Sequence, residues 1–248
     1  MLKIEHTKVT GWEAAIRGMR NPYDSWEKSD SCFCPKTGGC SVCEKIEDCG
    51  AKLERNGDTG VYIGPDDLSL MDRLVLAGDC HAKFARMIIV TADITGPLYW
   101  WKQFDTYKVG TVADSCSTMH TIMKKQFEIS DFSFDKDGIL KGTMPYIIQA
   151  LNNLRYEYKL MAASKDAKEE REAIWNAVIQ LLPESYNQKR TVQLNYQALR
   201  NMYTWRKDHK LDEWHTFCDW IEHLPYSELI TTKRTVKCQQ CGAETDLP

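Results

Sequence analysis

Apolar residues recur at helical spacing in several parts of the chain. Trp12, Ala15, Ile16 and Met19 follow Thr10 and Glu13, which are spaced as a capping box, and predict a short first helix with Thr10 as its N-cap. Leu68, Met71, Leu74 and Val75 predict a second helix, with Gly78 placed as its stop. Ile147, Leu151, Leu154, Tyr158 and Met161 predict a longer amphipathic helix. Residues 167–182 predict another. Its first turns carry Glu169, Glu170 and Glu172, where a helix N-terminus favours negative charge, and Pro183 ends it. Residues 195–206 predict a further helix, and Leu211, Trp214, Phe217, Cys218 and Ile221 form the clearest apolar stripe of all.

Two stretches have strand character. Phe84 to Ile94 is rich in Ile, Val and Thr and reads as a largely buried strand, ended by Gly96 and Pro97. Lys189 to Leu194 reads as a second. Leu98 to Phe104 is apolar and aromatic, with Trp100 and Trp101 assigned to the core. Thr106 to Met119 is a run of small residues, suited to backbone that closely approaches a ligand or partner. Asn21 to Pro65 has no sustained period and reads as a loop or insertion held by its cysteines. These elements predict an α+β fold, helix-rich around a central sheet.

Composition narrows the function. Of 248 residues, 43% are hydrophobic and 27% charged, which predicts an ordered globular chain. Lys and Arg number 32 against 35 Asp and Glu, a net charge of -3, so no global positive field attracts a nucleic-acid backbone. The first residues, with Lys3, Glu5, His6 and Lys8, do not read as a signal peptide. The apolar stretch from Met87 to Trp101 is interrupted by Asp93, Gly96 and Pro97 and is too short for a membrane span. The expected location is the cytoplasm.

In a reducing compartment, clustered cysteines point to metal rather than disulfides. Cys40 and Cys43 form one pair with a two-residue gap, and Cys238 and Cys241 form another. That gap lets both thiolates of a pair face one tetrahedral ion, and two pairs complete an all-thiolate zinc site with a structural role. A local set of Cys32, Cys34, Cys40 and Cys43 is the alternative, and the spacing leaves an iron-sulfur cluster open as well. The expected organisation is one α+β domain over residues 1–230, a cysteine-rich insertion at about 30–60, and a tail at 231–248 packing with that insertion. Cys116 reads as a small buried thiol.

The segment from Gln103 to Met119, QFDTYKVGTVADSCSTM, resembles the signature of flavin-dependent thymidylate synthases. Gln103 and Phe104 fit its opening, Thr111 stands at its first Ser and Asp114 at its Glu. A second block follows the same family's intervals: Leu182 and Pro183, then Asn195, Leu199, Asn201 and Arg206. The likeness spans about residues 66–225. The departures are chemical. The family's Arg-His-Arg triplet is replaced by Thr106, Tyr107 and Lys108, its later Ser and Arg by Cys116 and Thr118, and its Tyr by Met119.

The resemblance implies a homotetramer that binds a pyrimidine deoxynucleotide such as dUMP, with FAD, NADPH and methylenetetrahydrofolate as partners in reductive methylation. It implies FAD contacts from Gln103, Tyr107, Lys108, Thr111, Asp114, Asn195 and Asn201, and nucleotide contacts from Cys116, Ser117 and Arg206. The protein side chains bind and orient while the cofactor does the bond-making. Each lost charge-assisted contact weakens binding, so the departures predict weak flavin binding and little thymidylate synthesis. The alternative is a non-catalytic nucleotide- or nucleic-acid-binding protein of the same fold with a structural zinc module.

Overall fold

The structure is a computed structural model that describes residues 2–33, 61–162 and 167–232, and the backbone of 234–237 and 244–247. Cys40, Cys43, Cys238 and Cys241 lie outside the described residues. A four-stranded sheet has the order β1-β4-β6-β5, formed by Lys3–Thr10 (β1), Ile89–Pro97 (β4), Asn187–Asn195 (β6) and Val112–Ser115 (β5). Two short pairs accompany it: Cys32–Phe33 (β2) with Val61–Tyr62 (β3), and Arg234–Lys237 (β7) with Glu244–Leu247 (β8), both antiparallel. Among the described residues no helix is long and apolar enough to cross a membrane. The chain clusters into two compact units, one of residues 1–3, 94–106 and 114–191, the other of 4–93, 107–113 and 192–248.

In the second of these units, helix α1 (Trp12–Arg20) buries Trp12, Ala15, Ile16 and Met19, the expected stripe. Its start differs from expectation. Thr10 is the last residue of β1, and the helix begins after Gly11 without a side-chain cap. Gly11 has φ 89°, and a Cβ there would lie 2.0 Å from the Met87 carbonyl oxygen, so the tight entry needs glycine. Helix α2 (Pro65–Ala77) buries Met71, Leu74 and Val75 of the expected stripe and ends at Gly78 as predicted, but it buries Leu70 while Leu68 is half-buried. Phe84 and Ala85 are buried in a single turn of 3-10 helix, Lys83–Arg86, so the strand starts later than expected, at Ile89. β4 alternates buried and half-buried residues, the period of a strand with one covered face. Helices α7 (Tyr196–Arg206), α8 (Asp212–Glu222) and α9 (Glu228–Thr231) complete the unit's core, with Trp214, Phe217 and Ile221 fully buried.

Polar chemistry holds the described ends of the segment from Asn21 to Pro65. Asp67 is wholly buried; its Oδ1 accepts from Arg20 Nε at 2.6 Å and its Oδ2 from Ser29 Oγ at 2.6 Å and Ser31 Oγ at 2.5 Å. Asp30 in turn accepts from the backbone amides of Asp66 (2.9 Å) and Asp67 (3.1 Å) at the start of α2. Burial pushes the Asp67 carboxyl up, but the hydrogen bonds from Ser29, Ser31 and Arg20 and the Arg20 charge outweigh it and hold it below the usual carboxylate range.

The other unit contains α3 (Leu98–Phe104), the one-turn α4 (Thr118–Thr121), and the helices α5 (Met144–Met161) and α6 (Lys168–Leu181). Trp100, Trp101 and Phe104 of α3 are buried and pack edge to face or tilted at 4.7–5.2 Å. A second core joins Ile122, Phe127, Phe132, Met144, Leu151 and Val178, with Leu151 at the centre of the α5 stripe.

Candidate functional site

The residues singled out by the sequence fall into two groups, one in each unit. In the larger, Asn195 caps α7: its Oδ1 accepts from the Ala198 amide at 2.8 Å and its Nδ2 donates to the Gly110 carbonyl at 3.4 Å. Gly110 has φ 75°, and a Cβ there would meet Asn195 Nδ2 at 2.5 Å. The turn from Tyr107 to Thr111 is thus pinned against the start of α7, and within it the Thr111 hydroxyl donates to the Tyr107 carbonyl.

Arg206, at the other end of α7, meets the same turn. Its Nε donates to the Tyr107 hydroxyl at 2.8 Å, and its guanidinium lies over the Tyr107 ring at 5.3 Å and the Trp214 ring at 4.9 Å. The half-buried Arg206 therefore lies against two aromatic rings that also touch each other at 6.1 Å, a contact a planar guanidinium makes well. His209 packs against Trp214 at 6.3 Å; desolvation, then the charges of Arg206, His215 and Lys210, lower its pKa. Lys108 and Asn201 are exposed.

In the other unit, Gln103 is half-buried and Asp114 exposed. Cys116 is exposed, not buried as expected, because it follows β5, whose four residues all face solvent. Its amide donates to the Lys189 carbonyl at 2.9 Å, and its Sγ lies 3.7 Å from Thr121 Oγ1. Ser117 caps α4 through the His120 amide and also meets His120 Nδ1 at 3.1 Å.

Two further residues organise this group. Gln188 Nε2 donates to the Cys116 carbonyl at 3.1 Å and to Thr118 Oγ1 at 3.3 Å, while its Oε1 accepts from Arg190 Nε at 2.9 Å. Arg190 continues to Asp105 at 2.7 Å and lies over the Trp101 ring at 4.2 Å. Their positions two apart on one strand, which put both side chains on one face, were the signal available in the sequence. Among the described residues no group of three or more His, Cys, Asp or Glu side chains is placed to hold a metal.

No family model matches the sequence, and no curated relative is found. Solved structures do match. The flavin-dependent thymidylate synthase ThyX of Helicobacter pylori, complexed with FAD and dUMP, superposes with a TM-score of 0.60 over 93% of this chain and 97% of its own, at 18% identity. The fold is that of ThyX. A second structure of the H. pylori enzyme with FAD and dUMP gives 0.59 at the same identity and coverage. The likeness extends over nearly the whole of both chains. The resemblance seen in two short sequence blocks is therefore a relation of fold.

Proposed function

We propose that this chain is a pyrimidine-nucleotide-binding protein on the flavin-dependent thymidylate synthase fold, with weak flavin affinity and little or no thymidylate synthesis. The fold likeness to an enzyme complexed with FAD and dUMP carries the reading. Arg206 is the residue assigned to the nucleotide phosphate. Tyr107 and Trp214 hold its guanidinium in place, and such preorganisation lowers the cost of binding an anion.

The residues do not fit a flavin equally well. Both polar atoms of the Asn195 side chain are engaged, one by the cap and one by Gly110. Thr106 and Tyr107 stand where the signature has two basic residues, and the remaining Lys108 is an exposed point charge without a planar fork. No chemical step is assigned through the flavin. The purified protein is expected to carry little flavin and to make little or no dTMP from dUMP with FAD, NADPH and methylenetetrahydrofolate. A yellow protein that makes dTMP at ordinary enzyme rates would overturn the reading.

The zinc module is proposed beside it. Cys40 and Cys43, and Cys238 and Cys241, each have the two-residue gap that suits two thiolates of one tetrahedral site. The second reading is a non-catalytic nucleotide- or nucleic-acid-binding protein of the same fold with this structural zinc module.

A further inference from the structure

The α5–α6 helical pair carries a feature outside both sequence blocks that resemble the signature. An open surface pocket of about 350 Å³ is lined by Tyr158 of α5 and by Lys168, Arg171, Glu172 and Trp175 of α6. Its volume lies at the small end of the range for small-molecule sites, roughly 300–1,000 Å³. That suits one ring system with one acidic group better than a dinucleotide.

The lining supplies both halves of such a ligand's recognition. Trp175 and Tyr158 are flat, half-buried walls, and each is held in place. Trp175 Nε1 donates to the Met119 carbonyl at 3.3 Å, and the Arg171 guanidinium lies over the Tyr158 ring at 4.8 Å while donating to its hydroxyl at 3.1 Å. Two cations, Lys168 and Arg171, face a single carboxylate, Glu172, so the lining is net positive. Glu169 and Glu170 lie in the same first turn but do not line the pocket.

We propose that this pocket is a second small-molecule site, taking a nucleoside monophosphate with its base against Trp175 and its phosphate at Lys168 and Arg171. Aromatic walls accept any base through its π-face, so the phosphate supplies orientation and the ring supplies area.

The test is titration of the full-length protein with AMP and with GMP, purine nucleotides unlike the pyrimidine proposed for Arg206, followed by Trp fluorescence and by amide NMR. Either nucleotide should saturate by roughly 1 mM, with shifts concentrated in α5 and α6. Adenosine and inorganic phosphate alone should each bind at least about tenfold more weakly than AMP, which separates a nucleotide site from a phosphate site. Lys168→Glu and Trp175→Ala should each weaken binding about tenfold or more while leaving dUMP binding dependent on Arg206 intact. Lys168 is exposed, so its replacement keeps the fold even if loss of Trp175 does not. Absence of saturable binding by either nucleotide, phosphate binding as tight as AMP, or affinity unchanged in Lys168→Glu would overturn the proposal.

Discussion

Replacing Asp67 by Asn removes one charge from a pair that is almost wholly out of water, with Arg20 5% and Asp67 0% exposed. The geometry is close, 2.6 Å from Arg20 Nε, and the Ser29 and Ser31 hydroxyls and the Ser31 amide also donate to the carboxylate. Asn preserves the shape but leaves the Arg20 charge uncompensated, and breaking a buried pair in this way costs about 3–5 kcal/mol. An amide oxygen kept toward the serines turns the Asn NH2 onto the Arg20 N–H, so the expected loss lies within that range, a large share of the usual ~5–15 kcal/mol of a domain. The sign of the pH dependence follows from the lowered pKa. The contribution of Asp67 is fully present above the ordinary carboxylate value of 3.8 and is lost as the pH falls through its lower folded value. Urea denaturation followed by Trp fluorescence at neutral pH should give the full difference between wild type and Asp67→Asn, and the gap should narrow in strong acid. The double replacement Arg20→Met, Asp67→Leu, which leaves no orphaned charge, should be less destabilised than the single one. A loss under about 1 kcal/mol for Asp67→Asn, or a double variant worse than the single, would refute the assignment of this pair as the fastening of the segment.

Two more expectations concern the cysteines. Burial, with the nearby Glu222 and Asp219, pushes the Cys218 thiol up to about 12, so it should resist alkylation in the native protein and react only on unfolding. Cys80 and Cys116, both exposed, should be labelled before it; site-resolved mass spectrometry showing early labelling of Cys218 would contradict its buried place on α8. Protein purified under reducing conditions without chelator should carry about one zinc per chain, and Cys238→Ser should release it. Metal analysis that finds none removes the module.

Much of the helical part was legible because its stripes are long and one-sided. Met71, Leu74 and Val75, and Trp214, Phe217 and Ile221, sit in the core where their spacing puts them. β1 was not read, because Lys3–Thr10 buries only Val9 among its eight residues and so shows no clean alternation. β5 was missed for the same reason, since all four of its residues are exposed. The capping-box spacing of Thr10 and Glu13 misled, because a strand passes directly into a helix through a glycine whose positive φ no local pattern announces.

At the site, spacing identified Asn195 and Arg206 but not their engagements. The cap on Ala198, the tie to Gly110 and the stacking on Tyr107 and Trp214 join residues distant in sequence. Gln188 and Arg190 were passed over because their role depends on Asp105, Cys116 and Thr118, which only the fold brings to them.

The most direct test of the central claim is calorimetric titration of dUMP into the flavin-free protein and into Arg206→Ala. The account predicts measurable binding to the wild type and a loss of roughly 1.5–3 kcal/mol in the variant, the range for a hydrogen bond to a charged group. Unchanged affinity in Arg206→Ala would make the Tyr107–Arg206–Trp214 stack a purely structural contact and contradict the account.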